Sequence, residues 1–137
     1  MAETILRMYG IQKYFPGVHA LDDARLEVKA GEVMALVGEN GAGKSTLMKI
    51  LTGVYTKDAG TIELFGSPVE IHGPRDAQAK GISIVHQELN LMQDLTVAEN
   101  IFIGREPVKR GFLDKAEQNR MTEELLGSLH LNNISAK

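Results

Sequence analysis

Residues 38–45, Gly38-Glu39-Asn40-Gly41-Ala42-Gly43-Lys44-Ser45, fit the pattern G-x-x-x-x-G-K-[ST]. A phosphate-cradling loop of this kind turns the chain from a strand into a helix. Its glycines take up positive φ and let backbone approach a ligand without Cβ contacts. Successive N–H groups then converge as an anion nest. The sequence supplies both flanks. Residues 33–37 (VMALV) are apolar throughout, as in a strand covered on both faces. After the loop, Leu47, Ile50, Leu51 and Val54 recur at helical spacing from Lys44 onward, and Gly53 stands where a C-terminal cap belongs. The start of that helix adds the positive end of its dipole. Lys44 offers a mobile charge to the terminal phosphates of a nucleotide. Ser45 offers a hydroxyl to Mg²⁺, and Thr46 can reach the first phosphate. At ordinary residue frequencies a chain this long matches the pattern by chance in about half a percent of cases. An accidental glycine turn is therefore set aside.

The rest of the chain has no internal repeats and reads as short elements. Residues 5–12 alternate loosely, and residues 24–29 (ARLEVK) alternate apolar with polar as a half-buried strand does. Residues 61–65 (TIELF) and 68–72 (PVEIH) suggest a hairpin across Gly66 and Ser67. Pro74 can open a short helix through Ala79. Residues 82–86 (ISIVH) form a second apolar strand candidate. Thr96 and Glu99 have capping-box spacing for a helix to about Gly104. Asp114 can cap a last helix through about Leu131, with Met121, Leu125 and Leu129 on one face. Antiparallel strands followed by strand–helix units predict a mixed α/β fold with a small β layer beside a parallel core.

Composition removes several function classes. The net charge is −3, with a pI of about 5.8, and no basic stripe suggests a nucleic-acid partner. The chain has no cysteine, so disulfides and thiolate metal sites are excluded. Its four histidines, His19, His72, His86 and His130, lack metal-ligand spacing and read as surface or hydrogen-bonded residues. Arg105, Lys109 and Arg110 read as a solvated basic face. Met34, Met48, Met92 and Met121 read as core or interface filler. The N-terminal stretch lacks the apolar core of a signal peptide. The apolar run at residues 33–37 is far short of the roughly 20 residues of a membrane span.

Three stretches, LVGENGAGKSTLMKILTGVY (36–55), DAGTI (58–62) and IVHQELNLMQDLTVAENIFIGRE (84–106), closely resemble the nucleotide-binding subunits of ABC transporters. The resemblance is strongest to the bacterial sugar-import branch of ribose and galactose type, and runs from about residue 6 to residue 131. HQELNL followed by LTVAENIF is its most specific part. It implies a P-loop NTPase (RecA-like) parallel core with an N-terminal antiparallel β subdomain. Residues 1–30 and 60–72 would form the antiparallel layer, 31–59 and 73–105 the P-loop core, and 112–131 the start of a helical subdomain. It implies ATP and Mg²⁺ as cofactors, held by Gly38 through Thr46, with Lys44 catalytic and Ser45 at the metal. Gln87 matches the family's Q-loop glutamine, which contacts the metal and the attacking water and whose loop senses the membrane partner. Phe15, in Lys13-Tyr14-Phe15-Pro16-Gly17, holds the position of the family's adenine-stacking aromatic, with Tyr14 a close competitor. From the residues alone, Phe15 reads as a core residue of the first hairpin.

The implied partners are membrane permease subunits, an extracytoplasmic sugar-binding protein and a second ATPase domain, at the cytoplasmic face of the bacterial inner membrane. The family pattern continues with an LSGGQ-type motif, an apolar strand ending in Asp-Glu and a switch histidine, none of which lies in these 137 residues. The resemblance therefore implies the N-terminal part of an ATPase, which alone binds nucleotide weakly or not at all and hydrolyses none. Its apolar strands at 33–37 and 82–86 would lack neighbours, so self-association is expected. Three other readings compete. A soluble ABC-type ATPase of nucleic-acid or ribosome metabolism would lack HQELNL with LTVAENIF and often carry basic insertions. A P-loop kinase or GTPase would show an N/TKxD motif or an acceptor pocket. A non-catalytic interaction fragment requires this short form to be the natural product.

Overall fold

The computed structural model describes residues 2–86, 88 and 90–137, which divide into two compact units, 1–85 and 86–137.

In the first unit, β1 (Thr4–Phe15) and β2 (Val18–Lys29) form a long antiparallel hairpin. Pro16 pre-sets the φ of the turn and Gly17 completes it at φ 75°. Two strands follow the helix α1 (Lys44–Leu51): β3 (Ala59–Leu64) pairs with the free edge of β1, and β4 (Ser67–Val69) with β3. The sheet order is β2-β1-β3-β4. Its second hairpin turns at Phe65 and Gly66, φ 50° and 76°, one residue earlier than the expected Gly66–Ser67. Two consecutive positive φ values match the twist of the flanking strands.

The register aligns Leu26, Met8, Ile62 and Val69 across all four strands. Met8 and Ile62 are almost wholly buried and join Ile11, Leu21 and Ile71 against Leu47, Ile50 and Leu51 of α1. The Leu47, Ile50 and Leu51 part of the expected helical pattern is thus satisfied by one face of the antiparallel sheet, while Val54 lies past the end of α1 and is exposed. Gly53 closes the helix at φ 78°, and a Cβ there would stand 2.4 Å from the Gly73 carbonyl. Gly73 begins α2 (Pro74–Ala79), whose Ala77 completes the core.

Residues 33–37 and 82–86 do not form the expected strands, and no parallel pair is present among the described residues. Val33, Val37 and Val85 are 97%, 89% and 96% exposed. The physical reason is pairing: no strand of the β2-β1-β3-β4 sheet takes either run as a neighbour, and an extended segment without a hydrogen-bonded neighbour has little stability of its own.

The second unit holds α3 (Val97–Phe102), a short hairpin of β5 (Val108–Lys109) and β6 (Phe112–Leu113), and α4 (Lys115–Ser128). Thr96 and Glu99 form the expected capping box, and Asp114 accepts from the Glu117 amide at the start of α4. The inner face of α4, however, is Gln118, Thr122 and Leu126, not Met121, Leu125 and Leu129, which are 36%, 42% and 60% exposed. Gln118 Nε2 donates to the Ala98 carbonyl at 3.0 Å, and Thr122 Oγ1 to the Gln118 carbonyl at 2.8 Å. A polar face turns inward because α3 offers it a carbonyl acceptor. No helix among the described residues is long and apolar enough to cross a membrane.

Candidate functional site

The site lies in the first unit, where the glycine loop enters α1. Gly43 is the residue before the helix, at φ 92°, and offers no side-chain cap; no acidic residue lies in the first turn. The first amides of a helix have no intrahelical acceptor, so those of Lys44, Ser45 and Thr46 remain as donors. The first helical bond is Leu47 N–H to Gly43 O at 2.9 Å. Gly43 is also where the loop presses on the sheet: a Cβ there would meet Leu21 Cδ2 at 2.7 Å and the Ala20 carbonyl at 3.0 Å.

Lys44 folds back over its own loop. Its Nζ donates to the carbonyls of Gly38 and Glu39, the latter at 2.7 Å. Glu39 O also accepts from Ala42 N at 3.2 Å. Gly38, Glu39 and Ala42 thus shape the loop, while Asn40, Gly41, Gly43, Lys44, Ser45 and Thr46 line an open cleft of about 360 Å³. The first hairpin lines the same cleft with Phe15, Val18, His19 and Ala20.

Phe15 is half-buried and lines the cleft; Tyr14 does not, and instead stacks on His19 with centroids 4.1 Å apart and planes at 9°. His19 Nε2 donates to Gln12 Oε1 at 2.7 Å, in keeping with the hydrogen-bonded role expected for it. The presence of Val18, His19 and Ala20 in the wall escaped the sequence reading. The available signal was the hairpin register, since Val18 pairs directly with Phe15. Gln87 lies outside the described residues.

The donor set fits a nucleoside triphosphate: free helix-start amides and an ammonium for the phosphates, and an aromatic ring lining the same cleft. Ser45 is exposed, and its hydroxyl makes no internal hydrogen bond among the described residues. It suits Mg²⁺, which takes a few protein oxygens together with phosphate and water. No cluster of His, Cys, Asp or Glu among the described residues could hold a metal by itself.

Comparison with known proteins gives a consistent picture. A family profile described as ABC transporter matches residues 21–137. The chain is 58% identical, over 95% of its length and 26% of the relative's, to a protein of Burkholderia cenocepacia named as a ribose/galactose/methyl galactoside import ATP-binding protein. The like-named protein of Ralstonia nicotianae is 56% identical over 95% of this chain and 25% of its own. The chain thus spans about a quarter of the length of these curated relatives. Among solved structures, a nucleotide-free ATP-binding cassette from an ABC transporter matches with a TM-score of 0.77 and 28% identity, over 98% of this chain and 57% of that one. An ADP conformation of an ATP-binding cassette matches equally, at the same TM-score, identity and coverage.

Proposed function

The chain belongs to the ABC transporter family, and from that membership we propose that it is the ATP-holding part of the subunit that powers bacterial sugar import. The observation that carries this reading is the uncapped start of α1, opening with Lys44 into a cleft that Phe15 also lines. The amides of Lys44, Ser45 and Thr46 bind the phosphate tail, which the helix dipole also favours. Lys44 exchanges its carbonyl contacts for β- and γ-phosphate oxygens. Phe15 takes the adenine on its π-face. Ser45 is the protein ligand of Mg²⁺ on this segment, and Gln87 adds the contact to metal and water. When bound, Mg²⁺ would supply positive charge that offsets the charge of the phosphates.

Turnover needs a water-orienting group and a metal-holding acid besides the cradle. We assign these, and the LSGGQ-type cover from a second ATPase domain, to parts of the protein outside these 137 residues. The same applies to the neighbours of residues 33–37 and 82–86, which would complete a parallel core. The permease subunits and the extracytoplasmic sugar-binding protein are the partners, at the cytoplasmic face of the inner membrane. The names of the curated relatives support sugar import. The sugar is chosen by the partners.

Titrating a fluorescent ATP analogue with Mg²⁺ into the protein that carries this chain tests the reading. Lys44→Ala is expected to weaken binding at least about tenfold, the scale of one lost charge-assisted contact. Unchanged affinity would refute it.

A further inference from the structure

The end of β1 is gripped by the segment that leaves α1. Tyr55 sets its ring against Phe15 with centroids 5.2 Å apart and planes at 69°. Three residues on, Asp58 Oδ2 accepts the Tyr14 amide at 2.6 Å, and Asp58 Oδ1 pairs with Lys13 Nζ at 3.5 Å. The same Lys13 Nζ lies 5.3 Å from the centre of the Phe15 ring. Phe15 thus has an ammonium over one face and an aromatic ring set across it, both fixed by residues 55–58. Tyr55 is itself anchored: its amide donates to the Lys49 carbonyl at 3.0 Å, and Lys49 Nζ sits 5.3 Å from its ring centre. It also packs against the buried core.

The geometry points to Tyr55 as a positioning residue that holds Phe15 as the purine platform, so that the two ends of α1 set the two ends of the nucleotide. The N-terminal end presents amides to the phosphates, and the C-terminal exit fixes the ring that meets the base. A rotating Phe15 side chain would lose rotamer freedom on stacking; one already held in place loses less, and that difference appears as affinity. Edge-to-face pairs of this kind contribute beyond their buried area. The inference rests on the reading of Phe15 as the adenine platform, and the experiment separates the two.

The readout is the ratio of tripolyphosphate to ATP dissociation constants, each measured with Mg²⁺ by calorimetry on the protein that carries this chain. Tripolyphosphate engages only the cradle, so the ratio isolates the base. Tyr55→Ala is expected to reduce the ratio about three- to tenfold, the scale of one aromatic pair, with tripolyphosphate affinity unchanged. Tyr55→Phe keeps the ring and the ratio. Tyr55→Leu keeps the bulk without the ring and loses the ratio, which serves if the alanine variant does not fold. Loss of the ratio in Phe15→Ala but not in Tyr55→Ala or Tyr55→Leu would overturn the inference and leave the platform standing. A ratio untouched by Phe15→Ala would overturn the platform itself. Equal weakening of both ligands by the Tyr55 variants would reduce Tyr55 to a general structural residue and also overturn the inference.

Discussion

Gly43 carries two demands at once. Its φ of 92° lies where side chains are strained, and its missing Cβ leaves room for Leu21, a core residue, and for the Ala20 carbonyl. Gly41, two residues earlier, has a similar φ of 87° but nothing within 4 Å of an added Cβ. The pair therefore separates strain from contact. Gly41→Ala is expected to cost about 1 kcal/mol of stability, the scale of one unfavourable backbone conformation. Gly43→Ala adds a collision with β2 that a shift of the buried Leu21 side chain or of the loop must relieve, and is expected to cost about 2–3 kcal/mol. Chemical denaturation of the two variants side by side checks this, and equal losses would show that the loop does not rest on Leu21. The requirement for glycine here was legible from the motif. The contact that enforces it was not, because it depends on which β2 residue faces the loop.

At the scale of elements, the signals that proved legible were those encoded within a few residues. The Thr96–Glu99 capping box and the Asp114 cap satisfy backbone groups locally, Pro74 removes an orphan donor at the first turn of α2, and a glycine closes α1. The inner face of α4 was not legible, because apolar spacing favoured Met121, Leu125 and Leu129 while the packing partner decided otherwise. Gln118 and Thr122 spend their polar groups on carbonyls, which removes the cost of burying them. Ala136 reinforces the arrangement, accepting from the Ala98 amide at 3.0 Å and donating to Glu123 Oε1 at 2.9 Å. Two adjacent leucines then make a sharp comparison. Leu126→Ala empties a buried position, 6% exposed, and is expected to cost about 2–5 kcal/mol. Leu125→Ala, on the exposed face, is expected to cost less than about 1 kcal/mol. Hydrogen exchange of the α4 amides in the 137-residue chain reads the difference, and the reverse order would return the core of this unit to the Met121 face.

For the molecule as a whole, the fold was legible as far as its antiparallel layer and illegible where strands depend on neighbours. The runs VMALV and ISIVH have strand composition, yet composition only offers a strand; a hydrogen-bonded neighbour makes one. Here Ile82 is held by its amide on the Ala77 carbonyl and packs on the core, but neither run has a strand partner among the described residues, and Val33, Val37 and Val85 stand open to solvent. Exposed apolar surface of this kind is covered by association, and open backbone edges pair with another chain. The 137-residue chain is therefore expected to form dimers or larger species as its concentration rises, with the sedimentation coefficient climbing between about 1 and 100 µM, the range in which such surfaces associate. Charges act as gatekeepers on these runs because a lysine ammonium resists burial and repels its copy in the partner. Val37→Lys with Val85→Lys should accordingly return the chain to monomer while Met8, Ile62 and α1 keep the sheet intact, which far-ultraviolet circular dichroism would register. A parent chain that sediments as a monomer at the top of that range would mean that these two runs, exposed as they are, present no surface on which two copies can pair.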